Sequence, residues 1–296
     1  MGGVEAGGTK LVCAVGTGPD DIRAETRVPT GAPAETIATA LAFFVQHGPV
    51  AALGIASFGP VDLDPGSSTW GHVTRTPKPG WSYVDLAGPF ARALGVPVRF
   101  DTDVNGAALA EHAWGAGRGS DPFVYVTVGT GIGGGALVHG RLVHGLVHPE
   151  MGHLRVPHDI TADPFPGACP FHGDCLEGLA SGEAMARRWG LAADELPEDH
   201  PGWELEAGYL ALGLTAIVSV LSPRRIAVGG GVMAAGHLLP RVQARVRGLL
   251  GGYPDAAPLR ERIEDYIVAP ALGDRAGVLG ALALAGERAQ GRSALV

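Results

Sequence analysis

Residues 124–140 read Val-Tyr-Val-Thr-Val-Gly-Thr-Gly-Ile-Gly-Gly-Gly-Ala-Leu-Val-His-Gly. The alternating β-branched run Val124, Val126, Val128 stops at a glycine-rich turn, and a second apolar run, Ala136 to Val138, follows it. Period-2 alternation on both sides of such a turn predicts strand, turn, strand. The turn, taken as residues 129–135, carries almost no side chains. Its N–H groups can therefore approach a phosphate closely, and Thr130 offers a hydroxyl. A glycine-rich bend without a ligand fits this one stretch equally well.

The same design stands near the start of the chain. Val4-Glu5-Ala6-Gly7-Gly8-Thr9-Lys10 leads into the apolar run Leu11-Val12-Cys13-Ala14-Val15. A third glycine cluster, Gly229-Gly230-Gly231, closes the run Arg225-Ile226-Ala227-Val228. Two such hairpins opening two halves of a chain predict a duplicated α/β pair, with phosphates held where the halves face each other.

Composition sets the outer bounds. A length of 296 residues suits one large or two medium domains with sizeable cores. With 46% hydrophobic and 18% charged residues the chain falls in the ordinary globular class. Its net charge of −8, without a basic run, argues against nucleic acid as a partner. We read no signal peptide and no apolar stretch long enough to span a bilayer, so no membrane partner is expected. Cys13, Cys169 and Cys175 do not make a disulfide framework, which places the protein in the cytoplasm.

Between the first two glycine motifs, residues 34–47 carry Ile37, Leu41, Phe44 and Val45 at helical spacing, and residues 51–60 read as a buried strand ending in a turn. A long loop, 62–81, contains Thr76-Pro77-Lys78-Pro79-Gly80-Trp81. Long loops in compact domains are often functional, so this one is either a substrate-side loop or a surface loop. A helix over 85–94 and a strand over 96–100 follow. That strand delivers Asp101-Thr102-Asp103-Val104-Asn105 just before a helix over 106–112, where α/β sheets bind their ligands. On a continuing strand the two carboxylates would share one face. Either could accept a proton from a hydroxyl, as phosphoryl transfer from ATP requires. The competing role is a helix N-cap. For Asp101 the cap or a supporting hydrogen-bond role is favoured, while spacing does not decide for Asp103.

Cys169-Pro170-Phe171-His172-Gly173-Asp174-Cys175 is a Cys-x2-His-x2-Cys loop. Two thiolates and an imidazole in so short a span predict structural zinc, which needs one further ligand. Cys-x5-Cys is not the spacing of a redox pair of the thioredoxin kind. His139, His144, His148, His153 and His158 all lie upstream, and spacing does not choose among them. Glu150 and Glu177 flank the loop, either as surface glutamates or as acceptors for sugar hydroxyls. Helices are expected over 181–189 behind the cap Ser181, over 203–221 before Ser222-Pro223, and over 238–250. A last strand is expected over 265–269. The final helix, 275–289, has small residues Ala276, Gly277, Gly280 and Ala281 along one side, and a frayed tail covers 290–296.

Taken together these motifs resemble the ROK family of sugar kinases over nearly the whole chain, and within it the bacterial fructokinase branch. Gly3 to Lys10 is similar to the family's first phosphate motif, Gly129 to Gly135 to its second, and Gly229-Gly230-Gly231 to its adenosine-side motif. Asp101-Thr102-Asp103-Val104-Asn105-Gly106 resembles the segment whose second aspartate is the catalytic base, which points to Asp103. Glu150-Met151-Gly152-His153 with Cys169, His172 and Cys175 resembles the family's zinc signature, which selects His153 as the fourth ligand. The three-ligand loop, residues 76–81 and residues 175–182 point to the fructokinase branch. Thr102 departs from the asparagine of glucokinase-like members, which argues against glucose.

The resemblance implies an actin-like ATPase (ribonuclease H-like) α/β fold with two α/β lobes and a small zinc loop. The first lobe would span 1–112, completed by a C-terminal helix over about 275–296, and the second 113–274. It implies ATP with Mg²⁺ and a hexose, fructose preferred, as ligands, structural Zn²⁺, and a homodimer. Gly7, Gly8, Thr9 and Lys10 with Thr130 and Gly131 would hold phosphates, Gly229, Gly230 and Gly231 the adenosine side, and Glu150, His153 and Glu177 the sugar beside Asp103. Kinases for mannose, glucose or an N-acyl hexosamine are the near alternative. Sugar-responsive regulators of the family carry a helix-turn-helix segment ahead of the first motif. Here that motif begins at Gly2, so the kinase reading is preferred.

Overall fold

A computed structural model describes residues 1–286, which fall into two compact units. Met1–Gly115, His144–His148 and the chain from Leu272 form the first; Ala116–Val143 and Pro149–Ala271 form the second. The expected helix end at 289 and the tail 290–296 lie outside the described residues.

In the first unit, strands β1 (Gly2–Ala6), β2 (Lys10–Gly18) and β3 (Asp21–Pro29) make an antiparallel meander. Strand β4 (Leu53–Ser57) runs parallel beside β1, and β5 (Val98–Thr102) parallel beside β4, for the order β3-β2-β1-β4-β5. Central strands sandwiched by other layers must be apolar on both faces, and all five residues of β4 are buried. Helix α1 (Pro33–His47) opens on a proline, which its first turn tolerates, and buries Ile37, Ala40, Phe43 and Phe44. Helix α2 (Ala87–Leu94) buries Phe90.

Helix α3 (Asp103–Trp114) begins three residues before the expected start at 106. Its cap is neither aspartate. Thr102 ends β5, and its Oγ1 accepts the Asn105 N–H at 3.1 Å. The chain therefore turns into the helix between the two carboxylates, and the strand face they were expected to share does not exist.

The second unit repeats the topology. Strands β6 (Phe123–Val128), β7 (Ile132–Val138) and β8 (Arg141–Leu142) form the meander, with β9 (Arg225–Gly229) parallel to β6 and β10 (Ile267–Val268) parallel to β9. Read from β8, the order is the same as in the first unit. Strand β7 starts at Ile132, so Gly133, Gly134 and Gly135 belong to the sheet and not to the turn. They pair with Thr127, Val126 and Tyr125 of β6, and at Gly134 the close approach of Met151 requires glycine: a Cβ there would lie 2.6 Å from its sulfur.

Helices α4 (Leu176–Ala180), α5 (Gly182–Trp189), α6 (Gly202–Leu221), α7 (Leu238–Leu250), α8 (Ala257–Arg260) and α9 (Ile263–Tyr266) complete this unit. Ser181 caps α5 by accepting the Ala184 N–H at 3.1 Å. Helix α9 takes the start of the expected 265–269 strand, because Ile263 and Tyr266 are buried as a helical turn. Helix α6 corrects another expectation: it is long and apolar enough to cross a membrane by length and composition, with mean hydropathy 1.5. Half of that window is buried, and Trp203, Ala207, Leu210, Leu214 and Ile217 lie in this unit's core. A helix packed on more than one side loses its polar face.

The last described helix, α10 (Ala276–Gly286), belongs to the first unit and packs against α3, β1 and β4. Its small residues allow this approach: a Cβ on Gly280 would run into the Gly106 backbone of α3.

Candidate functional site

In the first unit the parallel register aligns Ala6 of β1 with Ser57 of β4, and Ser57 with Thr102 of β5. The Gly7–Lys10 turn and Asp103 therefore leave the sheet from one edge, its carboxyl edge, where ligands of α/β sheets gather. The turn is closed by the Gly7 N–H donating to the Lys10 carbonyl at 2.9 Å. A side chain on Gly7 would meet that carbonyl, while one on Gly8 would meet nothing within 4 Å. Gly8, Thr9 and Lys10 are exposed.

Loop 76–81 reaches this turn. The Lys78 ammonium donates to the Gly8 carbonyl. Trp81 is fully buried, donates through Nε1 to the Gly31 carbonyl at 3.1 Å, and stands edge-on to Phe58 at 5.4 Å. Thr30 in turn donates to the Gly7 carbonyl at 2.9 Å.

The two aspartates occupy different environments. Asp101 is 4% exposed; its Oδ1 accepts the Thr102 N–H at 2.8 Å and Asn105 Nδ2 at 2.7 Å, and its Oδ2 pairs with His144 Nε2 at 2.8 Å. Asp103, the first residue of α3, is half-buried, and its Oδ1 accepts the Val104 N–H at 2.8 Å. His144 is thus a partner of the aspartate segment. His148 accepts the Val61 N–H through Nε2 at 3.2 Å.

In the second unit, Gly129–Gly131 and Gly229–Gly231 follow neighbouring parallel strands paired at Thr127 and Gly229. Gly230 has φ +97° and lies against the Val128 backbone, Gly229 is buried against Pro270, and Gly231 is exposed with open space around it. Thr130 is exposed at the tip of the β6–β7 turn. The Gly129 and Thr130 carbonyls accept the Gly182 N–H at 2.7 Å and the Glu183 N–H at 3.3 Å. The start of α5 therefore holds the turn from behind. Glu177 Oε2 accepts the Ile132 N–H at 3.0 Å.

His153, Cys169, His172 and Cys175 come together, with ligand atoms all within 4.8 Å of one another. His153 Nδ1 lies 3.5 Å from Cys175 Sγ and 3.7 Å from Cys169 Sγ, and Cys169 Sγ lies 3.6 Å from His172 Nδ1. A tetrahedral ion at ordinary Zn–S and Zn–N lengths sets sulfur–nitrogen edges at about 3.6 Å. The four donors fit such an ion. Burial pushes the Cys175 thiol up to about 11, a cost that a bound cation reverses by favouring the thiolate. His139 is exposed, and His158 pairs with Asp174 at 3.3 Å and with the Asp163 carbonyl at 2.9 Å. Neither joins the cluster.

Glu150 and Glu177 border the cluster from opposite sides of one imidazole. His153 Nε2 is 4.0 Å from Glu150, and its Nδ1 is 4.0 Å from Glu177 Oε1. Burial, and then the Glu177 charge, push the Glu150 carboxyl up to about 7. Its side chain keeps 42% of its surface exposed, so water screens part of that effect. Lys78, His144 and Asn105 stand in stretches that the sequence marks, but their partners, Gly8 for the first and Asp101 for the other two, do not follow from spacing.

Comparison with known proteins accords with this geometry. The family model described as "ROK family" matches residues 1–288. A fructokinase of Zymomonas mobilis is 46% identical over 292 residues, covering 96% of this chain and 95% of that protein. The ROK hexokinase of Thermus thermophilus superposes with a TM-score of 0.80 at 27% identity, covering 96% of this chain and 97% of its own. A ROK family glucokinase from Streptomyces griseus, solved in complex with glucose and AMPPNP, gives 0.75 at 27% identity, covering 96% and 98%.

Proposed function

This chain belongs to the ROK family, and from that premise we propose that it phosphorylates D-fructose to D-fructose 6-phosphate with ATP. The observation that carries the chemistry is the register of the first sheet. It brings the open Gly7–Lys10 turn and the half-buried Asp103 out at one edge, while Asp101 is consumed by three internal hydrogen bonds. The fructokinase relative at 46% identity supports fructose as the acceptor.

Asp103 accepts the proton of the sugar 6-hydroxyl as its oxygen bonds to the γ-phosphorus and the bond from phosphorus to the ADP oxygen breaks. In the first unit Gly7, Gly8, Thr9 and Lys10 take phosphate. In the second, Thr130 and Gly131 take phosphate, and Gly229, Gly230 and Gly231 the adenosine side. Glu150, His153 and the free oxygen of Glu177 orient the sugar, so that positioning lowers the barrier. Mg²⁺ bound with ATP would neutralise charge building on the phosphates. Zinc, held by His153, Cys169, His172 and Cys175, would contribute folding energy and fix this loop. Family resemblance supports a homodimer, and the unpaired Cys13, Cys169 and Cys175 support a reducing compartment, the cytoplasm.

The test is ADP release with ATP and Mg²⁺ and each of fructose, mannose, glucose and N-acetylmannosamine. Preference for fructose is expected. Preference for another of these sugars would correct the acceptor, and no turnover with any of them on metal-loaded protein would overturn the kinase reading.

A further inference from the structure

The contact between Lys78 and the Gly8 carbonyl is made across 70 residues by a loop that is built to hold it. Thr76 and Ser82 brace the loop's ends, the Thr76 N–H donating to Ser82 Oγ at 3.1 Å and that hydroxyl returning to the Thr76 carbonyl at 3.0 Å. The Trp81 N–H donates to the Lys78 carbonyl at 3.2 Å. Prolines 77 and 79 fix the backbone on both sides of Lys78, and the buried Trp81 anchors the whole. A rigid mount of this kind costs conformational freedom. What it delivers is one ammonium at the exposed tip of a glycine turn, resting on a neutral carbonyl.

A neutral carbonyl is a weak partner for a lysine compared with a phosphate, where both groups are charged. The turn's own lysine also stands near a carboxylate. Burial raises the Glu5 carboxyl, and the Lys10 charge is the largest of the effects that hold it down, so Lys10 lies within the field of Glu5. Lys78 instead donates to the Gly8 carbonyl.

The sheet register says which phosphate is meant. Gly8 and Asp103 leave strands two apart on one edge, a separation of roughly 10 Å at ordinary strand spacing. A lysine–phosphate contact, an in-line approach of oxygen to phosphorus and a hydroxyl–carboxylate hydrogen bond are each about 3 Å. Placed in series they span that gap. The phosphate beside Lys78 is then the one whose acceptor faces Asp103.

We propose that Lys78 binds the terminal, transferred phosphoryl group of ATP, exchanging the Gly8 carbonyl for phosphoryl oxygens. This rests on the kinase reading and adds to it a cation supplied by loop 76–81. Lys78 holds charge on the group in flight, and the bonds made and broken are those given above.

The experiment compares wild type, Lys78→Met and Lys78→Arg as full-length protein. ATP and ADP affinities are measured by calorimetry with Mg²⁺ and no sugar, with melting temperatures alongside, and then turnover with fructose. Lys78→Met is expected to bind ATP at least tenfold more weakly while ADP affinity stays within twofold, and to lose about 10²-fold in kcat/KM for ATP. Lys78→Arg should recover part of both. Equal losses for ATP and ADP with a lowered melting temperature would mean that Lys78 only clamps the hairpin, and the inference fails. Unchanged ATP affinity and turnover in Lys78→Met also overturn it. The binding arm uses no sugar, so it stands whatever the acceptor proves to be. A wild type that binds neither nucleotide would remove the kinase reading and this inference together.

Discussion

Glu177 accepts the backbone N–H of Ile132 at 3.0 Å, two residues along the chain from Cys175 of the His153, Cys169, His172 and Cys175 cluster. One carboxylate thereby links the four-donor cluster to the glycine turn 129–131. Its second oxygen lies 4.0 Å from His153, so the geometry of the four donors and that of the turn share a single helix turn, α4.

The first prediction separates those two oxygens. Glu177→Ala leaves the Ile132 N–H without its acceptor and loosens the turn, so KM for ATP should rise about tenfold, the worth of one hydrogen bond to a charged group. Glu177→Gln keeps an acceptor for Ile132 and should hold KM for ATP near wild type, while KM for fructose rises. Steady-state kinetics with each substrate varied checks this. A rise confined to fructose in both variants would mean that the Ile132 bond does not support nucleotide binding.

Metal removal gives the second. Structural zinc contributes directly to folding, and a loss of a few kcal/mol in a chain of this size lowers the melting temperature by about 10 °C. Excess chelator should produce that drop, zinc should reverse it, and Cys175→Ala should show it without chelator. KM for ATP should rise in parallel, because Glu177 loses its mount. Elemental analysis should find one zinc per chain. Protein that carries no metal as purified, yet melts at the same temperature with and without chelator, would make the cluster a set of plain thiols and imidazoles.

How far these features were legible in the sequence follows their range along the chain. Both glycine hairpins and α7 are local patterns, period 2 or 3.6, and the residues show them directly. The Cys-x2-His-x2-Cys loop is equally local. Its fourth donor was not, since His153 is separated from Cys169 by a stretch that spacing cannot measure, and only the family resemblance pointed to it. The sequence reading puts the cap on Asp101 or Asp103, whereas the backbone puts it on Thr102 between them; all three side chains can accept an N–H, so residue type alone does not choose. Gly133 to Gly135 read as turn because glycine is a poor strand former, and the Met151 side chain that requires glycine at 134 is remote in sequence. The contacts of Glu177 with Ile132 and of Lys78 with Gly8 span 45 and 70 residues. No local rule reaches that far.

A buried acid in the second unit gives a prediction about pH. Glu206 on α6 is 1% exposed, and neither carboxylate oxygen has a hydrogen-bond partner among the described residues. Burial drives its pKa well above the ordinary 4.5, with the Arg188 charge pulling back only in part. The native state therefore keeps a proton that the unfolded chain releases above about pH 4.3. Stability falls as pH rises beyond that point, by up to about 1.4 kcal/mol per pH unit from this group, until the native carboxyl also ionises. Glu206→Gln removes the dependence. Its melting temperature should match wild type at pH 4 and exceed it at pH 8. A variant equal to or below wild type at pH 8 would show that Glu206 is ionised and paired in the folded protein.

The two aspartates at the end of β5 should fail in different ways. Asp103→Asn removes the proton acceptor but leaves an oxygen for the Val104 N–H, so folding should be unchanged and kcat should fall by about 10²–10⁴-fold. Asp101→Asn strikes a residue 4% exposed that accepts from Thr102, Asn105 and His144. One of those donors loses its acceptor or meets an amide N–H₂, at a cost of about 1–3 kcal/mol. The Asn105 carbonyl oxygen already has no partner in the described residues, which leaves little room for rearrangement. Asp101→Asn should therefore lower the melting temperature by several degrees, while the activity of the protein that remains folded falls far less than in Asp103→Asn. Denaturation curves beside kcat for the two variants decide it. Near-normal turnover in a well-folded Asp103→Asn would take the base away from Asp103. A large kcat loss in Asp101→Asn at unchanged stability would point to Asp101 in its place.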